Sequence, residues 1–194
     1  MIGASEQGNS IQGKPVSIFG DKPVYSEEEW ALVARGFNEM GRLAREKDMI
    51  FTVHHHMGTG VQTEEEIDRL MELTDPNLVY LLYDTGHLAF SGEDALRVLR
   101  KYAKRVKHVH LKSVRNDVVA KAKAGGYSFL DAVRAGAFTV PGDGDFDFQP
   151  VFDILAENGY EGWVVVEAEQ DPAKANPFEY AVMAREYIRR TEGL

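Results

Sequence analysis

Short apolar runs recur along this chain at almost constant spacing. Runs rich in β-formers begin near residues 49, 78 and 106, so consecutive starts are 29 and 28 residues apart, close to the length of one strand–helix unit. Continuous apolar runs are typical of strands buried in a parallel sheet, whose neighbouring strands are joined by helices. Further strands are predicted at Met1–Ala4 and Trp163–Val166, the latter after a unit with a long insertion. The spacing therefore predicts an α/β fold, either a (β/α) barrel or an open parallel sheet.

Helix signals separate the apolar runs. Ser26 and Thr63 are each followed three residues later by glutamate, which is the arrangement of a capping box. Other helix starts are predicted at Ser91–Asp94, at Asp147 and at Asn176-Pro177, with a short helical piece at Phe129–Arg134. No linker-like segment interrupts this pattern, so we expect residues 1–194 to form a single domain.

The charge balance and the cysteine count exclude several classes of protein. The 22 basic and 31 acidic residues give a net charge of −9, which argues against a nucleic-acid partner because such binding depends on basic residues. The chain has no cysteine, hence no disulfide and no thiolate metal site. No apolar stretch approaches the roughly 18 residues of a membrane helix, and no signal peptide is recognisable. We expect a cytoplasmic protein without a membrane partner.

Residues that carry chemistry cluster where the predicted strands end. All six histidines lie between positions 54 and 110. The strand ends supply His54, His55 and His56, then Asp84 and His87, then His108, His110 and Lys112, and finally Glu167 and Glu169. In parallel α/β folds the carboxyl ends of the strands meet at one face, where ligands bind.

Strand alternation sorts these side chains into candidate ligands. It places His54 and His56 on one face of their strand and His55 on the other. A set such as His54, Asp84, His110 and Glu167 mixes imidazole with carboxylate, and that mixture suits Mn²⁺, Co²⁺, Fe²⁺ or Zn²⁺ better than Ca²⁺. The sequence therefore predicts a transition-metal site at the strand ends.

Four motifs resemble those of a known enzyme family. They are the segment from His54 to Thr63 (HHHMGTGVQT), Asp84–His87 (DTGH), His108–Lys112 (HVHLK) and Val166–Pro172 (VEAEQDP). Their order and spacing resemble the inosose dehydratase family, which belongs to the sugar isomerase/epimerase group with xylose-isomerase-like (β/α)8 TIM barrels. The resemblance extends over essentially the whole chain.

The resemblance implies a metal-dependent hydro-lyase of inositol catabolism. Such an enzyme removes water from 2-keto-myo-inositol (scyllo-inosose), a small polyol ketone, to give a trihydroxycyclohexane-1,2-dione. The family implies Mn²⁺ or Co²⁺ as the metal, and glutathione as an associated cofactor. Relatives bind the metal through Glu, Asp, His and Glu; Asp84, His110 and Glu167 match the last three positions, while His54 stands at the first, with His56 as its alternative.

Dehydration beside a ketone requires a base for the α-proton and an acid for the departing oxygen. The candidates are His56, His87, Lys112 and Glu169, and the sequence leaves their individual roles open. Glu6 and Gln7, together with His56 and Lys112, are candidates for binding the polyol.

The number of strands suggests a partial barrel. A closed (β/α)8 barrel has eight strands, whereas five are predicted here, and the resemblance aligns Met1 near the start of the family's fourth strand. We expect an open five-stranded sheet with edges near residues 2 and 163, through which two copies pair as a homo-oligomer. Two alternatives to the dehydratase remain: an isomerase or epimerase acting on a keto-sugar through an enolate, and an inactive metal-binding remnant. An endonuclease acting at abasic DNA is disfavoured by the charge of −9.

Overall fold

Five parallel strands form the main sheet. A computed structural model of the chain describes residues 2–4, for their backbone alone, and residues 10–193. The strands are β1 (Ile2–Ala4), β2 (Phe51–His54), β3 (Val79–Asp84), β4 (Val106–Leu111) and β7 (Trp163–Val166). They pair in the order β1-β2-β3-β4-β7, each parallel to its neighbour. The predicted α/β class and the five predicted strands are confirmed, and β1 and β7 are the edges.

Helices connect the strands of the main sheet. They are α1 (Glu27–Arg45), α2 (Glu64–Leu73), α3 (Thr85–Ser91), α4 (Ala95–Tyr102), α5 (Asn116–Ala124), α6 (Phe129–Ala135), α7 (Gln149–Glu157) and α8 (Pro177–Glu192). Both predicted capping boxes are present, with the side chains of Ser26 and Thr63 accepting hydrogen bonds from the third residue of their helices. None of the helices among the described residues is both long and apolar enough to cross a membrane.

Two helix boundaries differ from the sequence prediction. The segment Ser91–Asp94 is not the start of one helix: Ser91 ends α3, Gly92 adopts a left-handed conformation, and Asp94 alone caps α4. The helix expected from Asp147 begins at Gln149, because the Asp147 carboxylate accepts a hydrogen bond from the Gln149 amide and stays outside the helix.

The insertion before β7 forms a second, smaller unit. It contains α5, α6 and a two-stranded antiparallel sheet made of β5 (Ser113–Val114) and β6 (Phe138–Thr139). The helical piece predicted at Phe129–Arg134 is confirmed as α6. This unit lies next to the carboxyl end of β4, since β5 follows that strand after one residue.

The buried apolar side chains fall into two clusters. The larger one packs one face of the sheet against the surrounding helices and includes Trp30 and Phe37 of α1 together with Leu81 and Tyr83 of β3. The smaller cluster joins the insertion to the strand ends and includes Ile18, Met57, Phe90, Phe129 and Phe138. The strand ends are therefore enclosed by the insertion, which positions any site that they form.

The edge strand β7 is more exposed than β2, β3 and β4. The sequence predicts an edge of the sheet near residue 163, and the exposure agrees with it: Trp163 is 72% exposed, and Val164 and Val165 are also exposed. Among the described strands, β7 has a neighbour on one side only.

Candidate metal centre

Four strand ends bring two imidazoles and two carboxylates together. His54 is the last residue of β2, Asp84 the last of β3, His110 lies near the end of β4, and Glu167 follows β7 directly. We call these residues the metal group. One potential ligand atom from each of them lies within 4.8 Å of the other three. The structure thus brings together the set that strand alternation predicted, with His54 rather than His56 in it.

The local fold orients Asp84 toward this point. Its Oδ1 accepts a hydrogen bond from the His87 amide at 2.9 Å, because Asp84 is the N-cap of α3. Its backbone amide donates to Nε2 of His55 at 3.1 Å. His55 is fully buried and supports the end of β3 through this hydrogen bond. Oδ2 of Asp84 is left to face the other ligands.

One polar atom of each member of the metal group has no hydrogen-bond partner among the described residues. These buried atoms are Nε2 of His54, Oδ2 of Asp84, Nδ1 of His110 and Oε2 of Glu167. His110 Nδ1 lies 2.7 Å from Glu167 Oε2, yet the pair lacks hydrogen-bond geometry. Buried polar atoms are normally satisfied, so four convergent exceptions point to a bound group. Two imidazoles and two carboxylates fit a divalent transition metal.

The electrostatics of the metal group favour the charged carboxylates. Burial alone would raise the pKa of Asp84, but the Lys112 ammonium and neighbouring imidazoles outweigh it and hold that pKa well below the usual value. Burial also opposes protonation of His110, whereas Asp84 and Glu167 raise its pKa to about 9. For Glu167, burial is outweighed by His110 and Lys112, which lower the pKa of its carboxyl. Without a metal, the two anions are therefore compensated by protons and by Lys112.

A second group adjoins the metal group. It consists of His56, His87, Lys112 and Glu169, and we call it the lysine group. Lys112 is fully buried, and its Nζ donates hydrogen bonds to His87 Nε2 and to Glu169 Oε2, each at 2.9 Å. The same ammonium lies 3.1 Å from Glu167 Oε2 and 3.4 Å from Asp84 Oδ2. The structure thus brings all four catalytic candidates into one cluster.

Burial sets the protonation of the lysine group. It lowers the pKa of His56 to about 3, and, with help from Lys112, it lowers the pKa of His87 well below the usual value, so both imidazoles are neutral. Burial also raises the pKa of Glu169 despite the opposing effect of Lys112. Lys112 remains an ammonium because Asp84, Glu169 and Glu167 outweigh the effect of burial and raise its pKa.

Three further residues at the site were not singled out from the sequence. The Phe129 ring centre lies 5.6 Å from that of His56, and the Phe138 ring centre lies 5.3 Å from that of His87. Gln12 hydrogen-bonds to His56 through its side-chain amide. The helical pattern around Phe129 indicated a helix but not its contact with the site, and Gln12 stands in no motif. These residues wall the side of the lysine group that faces the insertion.

The remaining candidates lie apart from the two groups or outside the structure. His108 belongs to neither group, although its ring centre is 5.1 Å from that of His110. Glu6 and Gln7, which were expected to touch the polyol, lie outside the described residues.

The chain is similar in sequence to curated inosose dehydratases. It is 67% identical over 190 residues to an inosose dehydratase of Clostridium tetani (strain Massachusetts / E88), covering 97% of this chain and 64% of that protein. It is 64% identical over 195 residues to one of Geobacillus thermodenitrificans (strain NG80-2), covering 100% and 65%. The chain therefore spans less than two thirds of the length of these relatives. The resemblance recognised from the four motifs is confirmed.

The fold and the family profile agree. A solved sugar phosphate isomerase/epimerase from Parabacteroides distasonis ATCC 8503 superposes with a TM-score of 0.65 at 18% identity, covering 88% of this chain and 55% of that one. At this identity the likeness concerns the fold alone. The sequence profile of the xylose isomerase-like TIM barrel family matches residues 9–191. With its parallel sheet and its match to that profile over residues 9–191, the chain belongs to the xylose isomerase-like TIM barrel family.

Proposed function

We propose that this chain carries the active site of a metal-dependent dehydratase that converts 2-keto-myo-inositol to a trihydroxycyclohexane-1,2-dione. The observation that carries the proposal is the convergence of four buried ligand atoms without hydrogen-bond partners beside a buried ammonium and a carboxylate. The identity to inosose dehydratases supports the substrate class. Residues 1–194 act as one domain in this proposal, because the insertion and the sheet both build the site.

The metal group would hold one divalent cation. A bound cation would act as a Lewis acid toward the oxygens of a polyol ketone. Mn²⁺ and Co²⁺ are the proposed ions, since a mixed imidazole and carboxylate set suits both. The proposal also includes a place in inositol catabolism, a cytoplasmic location and glutathione as an added cofactor.

The lysine group moves the proton. Glu169 is the candidate base, because its side chain is 25% exposed whereas those of His87 and Lys112 are almost fully buried. Its carboxylate accepts the α-proton of the ketone, the electron pair of the C–H bond forms a C=C bond, and the β C–O bond breaks. The same carboxyl then returns its proton to the departing oxygen, so that water leaves with no net change in protonation. The α-hydroxy enone formed in this way is the enol of the 1,2-dione and tautomerises to it. Lys112 holds Glu169 in place through the 2.9 Å hydrogen bond.

An absorbance assay tests this proposal. Purified protein is stripped of metal, reloaded with Mn²⁺ or Co²⁺, and mixed with scyllo-inosose with and without glutathione. We expect the absorbance of the conjugated dione to rise in the reloaded protein and not in Glu169→Gln. Glu161→Gln, which removes an exposed carboxylate of the same size, is the matched control and should retain activity.

Other outcomes would identify the alternatives. Turnover of a keto-sugar without loss of water would indicate an isomerase or epimerase. Bound metal without turnover of either substrate would indicate an inactive remnant, and the dehydratase proposal would fall.

The exposed edge of the sheet supports a second copy of the chain as partner. Trp163, Val164 and Val165 are exposed, and the outer backbone of β7 has no strand beside it among the described residues. Such edges pair readily with other strands. We expect concentration-dependent dimers in sedimentation velocity, reduced by Val165→Lys but not by Val24→Lys, a control at another exposed valine. A wild-type chain that sediments as a monomer at all concentrations would refute this pairing.

A further inference from the structure

Two groups of potential metal ligands lie side by side at the strand ends, and the buried Lys112 lies between them. Besides the metal group, His56, His87 and Glu169 offer three ligand atoms within 4.8 Å of one another. His56 Nε2 lies 3.7 Å from Glu169 Oε1, and His87 Nε2 lies 3.4 Å from Glu169 Oε2. Two imidazoles and one carboxylate are donors that divalent transition metals accept. The residues for a second metal site are therefore present.

Lys112 donates hydrogen bonds to two atoms that a second metal ion would need as ligands. An ammonium can only donate hydrogen bonds, so His87 Nε2 and Glu169 Oε2 must both act as acceptors toward it. These are two of the atoms through which the three residues would bind an ion. A divalent cation placed there would also lie close to a fixed positive charge in a buried site, where repulsion is strong.

The surroundings hold the lysine in this position. A Cβ on Gly86 would lie 2.5 Å from Lys112 Cγ, so the side chain runs closely over the first turn of α3. The Phe138 ring covers the ammonium, with Nζ 5.1 Å from its centre. Thr85 Oγ1 accepts from the Lys112 amide at 2.9 Å and donates to its carbonyl at 2.7 Å, which clamps the backbone. The ammonium is thus a built-in part of the site.

The charges balance with one metal ion. Asp84, Glu167 and Glu169 are three acidic groups around the ammonium, and one divalent cation together with Lys112 neutralises them. Replacing Lys112 by a neutral residue would leave one uncompensated negative charge beside three free ligands. A buried negative charge of this kind is costly, and a second divalent cation on the three freed ligands would more than offset it.

We propose that Lys112 acts as a resident cation that limits this site to one metal ion, and that removing its charge converts His56, His87 and Glu169 into a second divalent-metal site. This rests on the proposed metal group but not on the dehydration reaction. It assigns Lys112 a role in metal stoichiometry in addition to its contact with Glu169.

Metal counting tests the inference without reference to activity. Wild type, Lys112→Met, Lys112→Gln and Lys112→Arg are saturated with Mn²⁺, freed of excess ion by gel filtration, and analysed by emission spectroscopy. We expect one ion per chain in wild type and in Lys112→Arg, and two in Lys112→Met and Lys112→Gln. Adding His87→Asn to Lys112→Met should return the count to one. The electron paramagnetic resonance spectrum should change from that of isolated Mn²⁺ to that of a coupled pair only in the two-ion variants.

The outcomes separate the two proposals. A count of one in wild type and in both neutral variants, with far-ultraviolet circular dichroism showing that they are folded, overturns the role of Lys112 and leaves the metal group standing. Two ions in wild type overturn it as well, since the second group would then bind metal beside the ammonium. No ion in wild type refutes the metal group, and this inference falls with it. If the methionine variant fails to fold, the glutamine variant decides.

Discussion

At the scale of single residues, the unpartnered atoms of the metal group are the most informative feature of this molecule. In the proposed function each of these side chains contributes one ligand atom to a single ion. Glu167 offers the simplest test, because it follows the edge strand and contributes little to the core.

Replacing Glu167 by glutamine should weaken metal binding. The amide retains the size of the side chain but removes the negative charge, and we expect the affinity for Mn²⁺ to fall at least about 10-fold, the loss already seen when outer-shell partners of metal ligands are changed. Isothermal titration calorimetry measures the affinity, with Glu161→Gln as the control. Equal affinities in both variants would exclude Glu167 as a ligand.

His55 should make the metal-free protein sensitive to acid. Burial, with a smaller contribution from His54, lowers its pKa in the folded chain from 6.5 to about 3, so the unfolded chain binds the proton more readily between these values. Stability therefore falls as the pH drops below about 6.5, and the loss levels off near pH 3. The proton would also occupy Nε2, which accepts the hydrogen bond from the Asp84 amide.

Urea unfolding of the metal-free chain between pH 5 and 7 measures this effect. In His55→Gln the slope of the unfolding free energy against pH should decrease by up to about 1.4 kcal/mol per pH unit, the effect of one proton. An unchanged slope would show that His55 does not titrate with unfolding.

At the scale of elements, helix α1 contains two glycines, Gly36 and Gly41, that differ in how closely other atoms surround them. Gly41 faces the sheet, and a Cβ there would overlap the Leu78 carbonyl group, whereas a Cβ on Gly36 would meet nothing within 4 Å. The helix therefore approaches the start of β3 closely at one glycine only.

Alanine at these two positions should change stability in opposite directions. Gly41→Ala forces the helix away from Leu78 and should destabilise the fold by about 1–3 kcal/mol, the usual cost of overpacking. Gly36→Ala should stabilise it by about 0.5–1 kcal/mol through helix propensity. Thermal and urea unfolding of both variants provide the comparison; destabilisation of similar size in both would contradict the close approach at Gly41.

The elements that the sequence predicts best are those with a periodic or capped pattern. The strands and the helices that begin after Ser26 and Thr63 carry such patterns, and they appear within a few residues of their predicted bounds. Helix α3 has no comparable stripe, and its Asp84–His87 start resembles a loop because it contains glycine. A helix of 7 residues held by tertiary contacts leaves too short a pattern to be recognised.

The residues of the site also differ in whether a local sequence pattern predicts their position. The metal group is predictable because its members end strands whose carboxyl ends must meet. The burial of Lys112 is not, since it depends on Phe138 and Glu169, which reach it from distant segments. Gln12 reaches His56 across 44 residues and has no local pattern that would indicate the contact.

At the scale of the whole molecule, a bound ion would connect four segments of the chain. The members of the metal group come from the ends of β2, β3 and β4 and from the residue after β7. An ion bound to all four would stabilise the folded state and not the unfolded chain.

Removing the metal should therefore lower the melting temperature. At a free-ion concentration of 100 times Kd, binding contributes about 2.7 kcal/mol, and a chelator would remove this contribution. Differential scanning calorimetry of the Mn²⁺-loaded and chelator-treated protein measures the difference, which should be smaller in Glu167→Gln. Identical melting temperatures at saturating Mn²⁺ would contradict a folded-state metal site.

The exposed edge strand also bears on how long an ion stays bound. β7 is the least protected of the strands with described side chains, yet the residues that follow it include Glu167 and Glu169, one in each group of the site. Edge segments with few buried contacts open locally at a lower free energy than the rest of a protein. Each opening of β7 would withdraw both carboxylates at once, so the residence time of the ion follows the fraying rate of one strand. The rates of amide exchange in β7 and of metal release would then depend on the same local opening. A partner that covers this edge would slow both.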